Sequence, residues 1–328
     1  MLNNSKILIT GGTGSFGNEF VEIILKKYNP KKVVIFSRDE MKQWFMAHKF
    51  KNHKKLRFFL GDVRDRERLN RALDGIDYVI HAAATKIVPT SEYNPFESVK
   101  TNIIGAMNVI DMCIDKKIKK VVALSTDKAC NPINFYGATK LASDKMFVAA
   151  NSYAGGHNTK FSVVRYGNVM GSRGSIIPFF LSLKNKKELP ITDVRMTRFM
   201  ISLEDAVDLV FTAFKDMSGG EIYVRKIPSM KVTDIALTIN PNAKFKIIGV
   251  RPGEKIHEQM ISSEDSISTF EYKNYYKILP TFFKNFNYSK IKGKKVKTNF
   301  EYKSDKNTSI MTRNFLKKWI EKNYKKFI

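Results

Sequence analysis

The stretch KILITGGTGSFGNEF, residues 6–20, most constrains what this chain can become. A β-branched run ends in a glycine-rich turn and passes at once into a helix-like segment. Gly11, Gly14 and Gly17 are spaced G-x-x-G-x-x-G. Glycines at such a turn permit a tight reversal, let backbone N–H groups approach a pyrophosphate, and let the helix pack on the strand. The helix N-terminus adds partial positive charge toward phosphate. Thr13, Ser15 and Phe16, inside the same turn, join these glycines as candidate cofactor-binding residues.

The first half of the chain repeats this strand–helix rhythm. Expected strands are KILITG, KVVIFS, LRFFLGD, YVIHAA, KVVALST and FSVVRYGN; the stretches between them carry helical periodicity, including one long segment over 96–117. Such alternation predicts an α/β fold with a doubly wound parallel sheet of Rossmann type. After about residue 169 the rhythm breaks into loops and short elements. The expected organisation is a nucleotide-binding domain over 1–168, with 202–225 returning to it, and a smaller mixed α/β substrate domain from 169–201 and 226–328. The tail FLKKWIEKNYKKF reads as a terminal amphipathic helix.

The chain has 328 residues, 43% of them hydrophobic, enough to bury a sizeable core. Its formal charge of +26 raises the question of nucleic acid. The lysines are scattered, however, and no RNP-like pattern, finger spacing or helix-turn-helix accompanies them, so no nucleic-acid partner is expected. A cationic field also draws polyphosphate ligands. No secretory h-region and no membrane-length apolar run is present, which points to the cytoplasm and to no membrane partner. Two cysteines, Cys113 and Cys130, are too few for a disulfide framework or a metal site; Cys130 reads as a small packing residue.

Further cofactor contacts follow from the strand ends. The second strand closes in Ser37, followed by Arg38, Asp39 and, a turn later, Lys42. A carboxylate here suits the ribose 2′-hydroxyl of NAD, and an arginine suits the 2′-phosphate of NADP. Ser37 and Glu40 form an S-x-x-E capping pattern, which makes Asp39 and Glu40 first-turn helix acids. The balance favours NADP. Asp62 and Val63, after the third strand, fall where adenine would lie; Asp62 also reads as a helix cap. Ala82, Ala83, Ala84 and Lys86, after the fourth strand, fall beside the ribose and nicotinamide.

The reactive residues cluster in LSTDKACNPINFYGATK, 124–140. Tyr136 and Lys140 share one helix face. A phenol beside a lysine ammonium is shifted toward phenolate and can accept the proton of a substrate hydroxyl as hydride leaves the same carbon. Thr126 can hydrogen-bond that hydroxyl. Asp127 and Lys128 add a second acid–base pair that hydride transfer alone does not require. Oxidation of a sugar C4 acidifies C5–H, so such a pair can eliminate the C6 hydroxyl, and hydride returned to C6 closes the cycle without net redox.

Together with FSRDEMKQ, EYNPFESVKTNIIGAMNVI, VVRYGNVMGSRGSIIPFF, ITDVRMTRFMISLEDAVDLV and IGVRPGEKIHE, these motifs resemble the inverting UDP-N-acetylglucosamine 4,6-dehydratases of the extended short-chain dehydrogenase/reductase superfamily. The resemblance spans residues 6 to about 262. It implies bound NADP recycled within each turnover, C4 oxidation, elimination across C5 and C6, reprotonation of C5 on the opposite face, and entry into pseudaminic acid synthesis. It implies Tyr136 as C4 base, Lys140 as its partner and ribose ligand, and Asp127 with Lys128 as the elimination pair. Lys128 is favoured as the C5 base and Asp127 as the acid, although the two roles could exchange. It further implies that Lys86, Tyr93, Asn168, Arg173, Thr197, Arg198, Arg251 and Glu254 line the sugar and UDP sites, and that the enzyme is a homo-oligomer.

Met200 stands where the resembled family commonly has tryptophan, and Arg225 where it has proline; the first bears on sugar-pocket packing, the second on a turn near the nucleotide. Three alternatives remain. C5-retaining relatives carry N-terminal membrane segments, whereas this chain begins at its nucleotide fold. C5-epimerising relatives commonly have methionine at the position of Tyr136. A non-catalytic NADP sensor would typically have lost Tyr136 or Lys140.

Overall fold

The computed structural model describes residues 2–156, 158–281 and 291–323. Its first half alternates strand and helix: β1 (Lys6–Thr10), α1 (Ser15–Lys27), β2 (Lys32–Ser37), α2 (Glu40–Lys49), β3 (Leu56–Leu60), α3 (Arg66–Ala72) and β4 (Tyr78–His81). Helices α4 (Val88–Tyr93), α5 (Pro95–Ser98) and α6 (Gly105–Asp115) lead to β5 (Lys120–Leu124), α7 (Phe135–Tyr153) and β6 (Lys160–Arg165). Ile7, Leu8 and Ile9 are wholly buried, as are Val121 and Val122. That continuous burial, rather than alternation, marks a parallel sheet covered on both faces. The fold is therefore α/β with a Rossmann-like sheet.

The second half adds β7 (Asn168–Val169), α8 (Ile176–Ser182), β8 (Glu188–Ile191), β9 (Thr197–Ile201), α9 (Leu203–Asp216), β10 (Ile222–Arg225), β11 (Ser229–Lys231), α10 (Val232–Ile239) and β12 (Lys244–Ile247). It ends with β13 (Gln259–Ile261), β14 (Thr269–Glu271), β15 (Tyr275–Ile278), β16 (Lys294–Lys295), β17 (Tyr302–Lys303) and α11 (Arg313–Asn323). Residues 324–327 of the tail segment expected to be helical lie outside the described residues.

The large sheet runs β16-β14-β15-β10-β6-β5-β4-β1-β2-β3. The strand order reverses where β1 is flanked by β2 on one side and β4 on the other. A crevice opens at such a switch point, beyond the strands' carboxyl ends. β10 joins β6 in parallel, and α9 packs against α1. β15 then adds antiparallel to β10, followed by β14 and β16. These last strands belong to the large sheet, although the sequence reading grouped all of 226–328 with the smaller unit. Short antiparallel edge strands leave a weak periodic signal, which is why the sheet's extension was not legible.

A second apolar cluster lies outside the sheet. Ile177 and Phe180 of α8, Leu189 and Ile191 of β8, Ile235 of α10 and Leu316 of α11 meet there. Met200 is buried in this cluster and Arg225 pairs with Asp205 and Asp208 of α9. Neither residue borders the cavities described below.

The long segment over 96–117 is not one regular helix. Val99–Ile104 forms a π-helical stretch between α5 and α6. Such insertions widen the helix locally and often accompany function. Here it presents Asn102, 1% exposed, to the loop after β4. Asn102 Oδ1 accepts from the Thr85 N–H at 2.9 Å, and its Nδ2 donates to Thr85 O and to Thr139 Oγ1 on α7, each at 3.0 Å.

Candidate active site

A cavity of about 570 Å³ occupies the switch-point crevice. It is lined by Gly11, Thr13, Gly14, Ser15 and Phe16 from the glycine turn, and by Ser37, Arg38, Asp39 and Lys42 after β2. Asp62 and Val63, and then Ala82, Ala83, Ala84 and Lys86, complete the cofactor candidates on its wall. Gly11 has φ +64°, and a Cβ there would stand 2.8 Å from Ala83 N. The α1 N-terminus has no side-chain cap, so its first N–H groups are left for a ligand. This donor set and close backbone approach fit a dinucleotide pyrophosphate.

Gly17 differs from the other candidates. It does not line the cavity; a Cβ there would lie 2.0 Å from Gly12 O. It serves the packing of α1 on its own turn. The capping pattern also differs from expectation. Asp39, not Ser37, is the N-cap of α2 and accepts from Lys42 N at 2.9 Å. Ser37 ends β2, and Gln43 Nε2 donates to its Oγ. Asp39 also pairs with Lys42 Nζ. Asp62 does not cap α3, a role taken by Asp65. It instead binds Arg64 at 2.7 Å and lies 3.5 Å from Arg38 Nη1.

The reactive residues come from β5, the turn after it and α7. Asn134 caps α7, its Oδ1 accepting from Gly137 N at 2.7 Å while its Nδ2 donates to Gly253 O at 2.7 Å. This ties the helix start to the loop before β13. Tyr136 and Lys140 are both buried on the cavity wall with Thr126, Asp127 and Lys128. Lys140 Nζ donates to Leu124 O at 2.8 Å. Burial pushes the Tyr136 phenol up to about 12, opposed by the Lys128 charge and the Thr126 hydroxyl. Lys128 thus acts on this phenol in addition to Lys140, the expected partner, which lines the same cavity wall. Burial lowers the Lys140 ammonium, with Asp144 opposing.

Asp127 and Lys128 form an ion pair of 3.0 Å, and Lys128 Nζ lies equally 3.0 Å from Glu258 Oε1. Burial, and then the Glu258 charge, raises the Asp127 carboxyl above its ordinary range. Burial alone would lower Lys128, but the two carboxylates outweigh it and hold the ammonium above its usual value. Glu258 is held below its usual range, because Lys128 and Arg198 outweigh its burial. Of the two carboxylates facing Lys128, Asp127 is therefore the one whose proton affinity is raised and Glu258 the one whose proton affinity is lowered. Asp127 Oδ2 and Glu258 Oε2 are buried without hydrogen-bond partners among the described residues.

A second cavity, of about 320 Å³, shares Lys128, Asn168 and Ser175 with the first. Arg198, Arg251 and Glu254 line it, and Arg198 Nη2 lies 3.5 Å from Glu254 Oε1. Arg173 lines the first cavity only; its N–H donates to Ser15 Oγ and its carbonyl accepts from Lys86 Nζ at 3.1 Å. Two expected substrate residues border neither cavity. Tyr93 is 88% exposed at the end of α4, and the adjacent Glu92 accepts from Phe135 N at 2.6 Å. Thr197 is buried, its Oγ1 bonded to His257 Nδ1 at 2.9 Å and to Ser304 Oγ at 2.6 Å. It anchors the segment that carries Glu258.

Residues 7–280 match the model of a family described as polysaccharide biosynthesis protein. Over 94% of each chain, the sequence is 58% identical to the inverting UDP-N-acetylglucosamine 4,6-dehydratase of Campylobacter jejuni subsp. jejuni serotype O:2. The chain belongs to this polysaccharide biosynthesis family. Its relatives are chemically diverse: a UDP-glucose 4-epimerase of Rickettsia typhi is 44% identical over 90% of this chain and 89% of that one. Among solved structures, Pen from Bacillus thuringiensis aligns with TM-score 0.89 and 36% identity, covering 98% of this chain and 99% of that one.

For this family member, sequence reading missed Glu258 and Asn102. Glu258 closes the motif IGVRPGEKIHE, but no spacing rule connects it with Lys128. Asn102 lies within a helical apolar pattern, where one polar residue reads as surface. No group of acidic, histidine and cysteine side chains suited to a metal ion occurs among the described residues.

Proposed function

We propose that the protein is an inverting UDP-N-acetylglucosamine 4,6-dehydratase yielding the 4-keto-6-deoxy sugar of L-arabino configuration. The observation carrying this reading is the seam between the cavities, where Tyr136 stands beside an acid–base pair, Asp127 and Lys128. A dinucleotide bound in the first cavity would accept hydride from C4 and return it to C6. Tyr136 takes the C4 hydroxyl proton, with Thr126 orienting that hydroxyl. Lys140, donating to Leu124 O, is positioned for the ribose. Asp127, whose proton affinity is raised by burial and Glu258, delivers a proton to the departing C6 oxygen. Lys128 takes the C5 proton after passing its own ammonium proton to the Asp127 carboxylate 3.0 Å away, which makes Asp127 the acid. In the exchanged assignment the Asp127 carboxylate takes the C5 proton and the Lys128 ammonium protonates the C6 oxygen.

The cofactor proposed is NADP: Asp39 is occupied by its cap and by Lys42, while Arg38 extends partly exposed at the rim. Arg198, Arg251 and Glu254 suit the UDP moiety, since guanidinium groups bind diphosphate bidentately. Trp44, Phe45 and Phe96 are exposed, which favours a homo-oligomer. The pseudaminic acid pathway remains the proposed destination of the product.

Product NMR in deuterium oxide tests the reaction. Conversion of UDP-N-acetylglucosamine without added reductant, with label at an inverted C5, is expected. Retained C5 configuration rejects the inverting assignment. A 4-epimerase, the activity named for some relatives, would leave C5 unlabelled and Asp127–Lys128 idle. Lys128→Ala should cripple elimination while cofactor stays bound.

A further inference from the structure

Lys128 borders both cavities, Asp127 borders only the first, and Glu258 only the second. The ammonium is therefore held across the seam by one carboxylate on each side, each 3.0 Å away. Glu258 is 2% exposed and stands immediately before β13. Its N–H donates to Ser304 Oγ at 2.9 Å, and Ser304 Oγ meets Thr197 Oγ1, so the backbone carrying this carboxylate is pinned from two sides. A carboxylate buried with one oxygen unpartnered is costly, and packing alone would not call for it.

We propose that Glu258 is a positioning residue for the dehydration, anchoring Lys128 Nζ at the seam and setting the charge against which Asp127 and Lys128 exchange protons. This inference rests on the dehydratase reading. Other groups face the cluster from each element packed on it. Arg198 of β9 places Nε 3.8 Å from Glu258 Oε1. Glu254, Lys255 and His257 lie on the same segment, and Lys255 Nζ donates to Cys130 O at 2.6 Å. Tyr136 faces it from α7, with Thr126 on the turn itself. Arg198 and Lys255 are positive and keep Glu258 ionised.

Removing this carboxylate has a consequence independent of which partner is acid and which is base. After burial, Glu258 raises Asp127; alongside Asp127, it also raises Lys128. Its loss lowers both, so both limbs of the pH–rate profile must move toward acid. A residue that merely filled space would lower the rate and leave the limbs in place.

The experiment compares kcat and KM across pH for wild type, Glu258→Gln and Glu258→Asp with UDP-N-acetylglucosamine. In E258Q, kcat should fall about 100-fold, within the span of general acid–base effects. KM should stay within a few-fold, and both limbs should shift acidward by about one pH unit or more. E258D, which keeps the charge but withdraws it, should lie between wild type and E258Q. It carries the same test if E258Q does not fold. Unmoved limbs in a folded variant, a loss accounted for by KM, or an undiminished rate would overturn the proposal. A wild type forming no keto sugar would instead remove the dehydratase reading itself, and this inference with it.

Discussion

Gly137, the residue after Tyr136, abuts the turn that carries Lys128: a Cβ at Gly137 would lie 2.2 Å from Lys128 O. The helix bearing the phenol and the turn bearing the acid–base pair are thus packed backbone to backbone. Gly137→Ala must push them apart. Overpacking of this kind costs about 1–3 kcal/mol, and displacement near 1 Å in a reactive array can cost about 100-fold in rate. The variant should therefore melt earlier and lose most of its turnover while retaining cofactor. A normal kcat would show that the turn and helix are not held in the close register described.

Cofactor choice is tested at Arg38. If its guanidinium binds a 2′-phosphate, Arg38→Ala forfeits a charged hydrogen bond of about 1.5–3 kcal/mol, or roughly 10- to 100-fold in NADP affinity. NAD affinity should hardly change. Titration of cofactor-stripped protein with each dinucleotide reads this directly. An equal loss for both would assign Arg38 to the common part of the molecule.

The parts of this site legible in the sequence are those whose chemistry is local. The strand–glycine turn–helix and the Tyr136–Lys140 face each need only short-range geometry, and both appear at the cavity wall. Adjacent alternatives were harder. Ser37 and Asp39 each start a plausible cap, and choosing between them depends on where β2 stops hydrogen bonding with β3. Tyr93 rests on the resemblance alone, with no residue pattern of its own behind it, and it ends a short helix facing solvent. Glu258 was illegible for a different reason. Its meeting with Lys128 is created by the packing of β13 against the catalytic turn, a contact that no local pattern encodes.

Asn102 offers a test of the π-helical stretch. Its side chain satisfies both backbone groups of Thr85 and the Thr139 hydroxyl. Asn102→Ala leaves the half-buried Thr85 groups and the buried Thr139 hydroxyl without this partner, at up to about 1–3 kcal/mol for each one left unsatisfied. Denaturant unfolding should show a loss on the order of 3 kcal/mol, accompanied by weaker dinucleotide binding because the 82–86 loop loses its tether. Destabilisation without any change in binding would make the tether purely structural.

Asp127 should show stability and activity pulling in opposite directions. Its carboxyl is raised in the folded protein above the unfolded value of about 3.9. The sign follows from linkage: below the unfolded pKa both states are protonated and no penalty exists, while above it the unfolded chain ionises more readily and stability falls as pH rises. At neutral pH the group is therefore a burden on the fold, relieved by a neutral side chain of the same shape. Asp127→Asn should melt higher than wild type at pH 7 and by a smaller margin at pH 4, while turnover falls about 100- to 10,000-fold for loss of a proton-transfer group. Melting curves at the two pH values, with single-turnover product analysis, check both halves. A variant that melts lower at pH 7 would mean that the Lys128 ion pair outweighs the cost of burying Asp127.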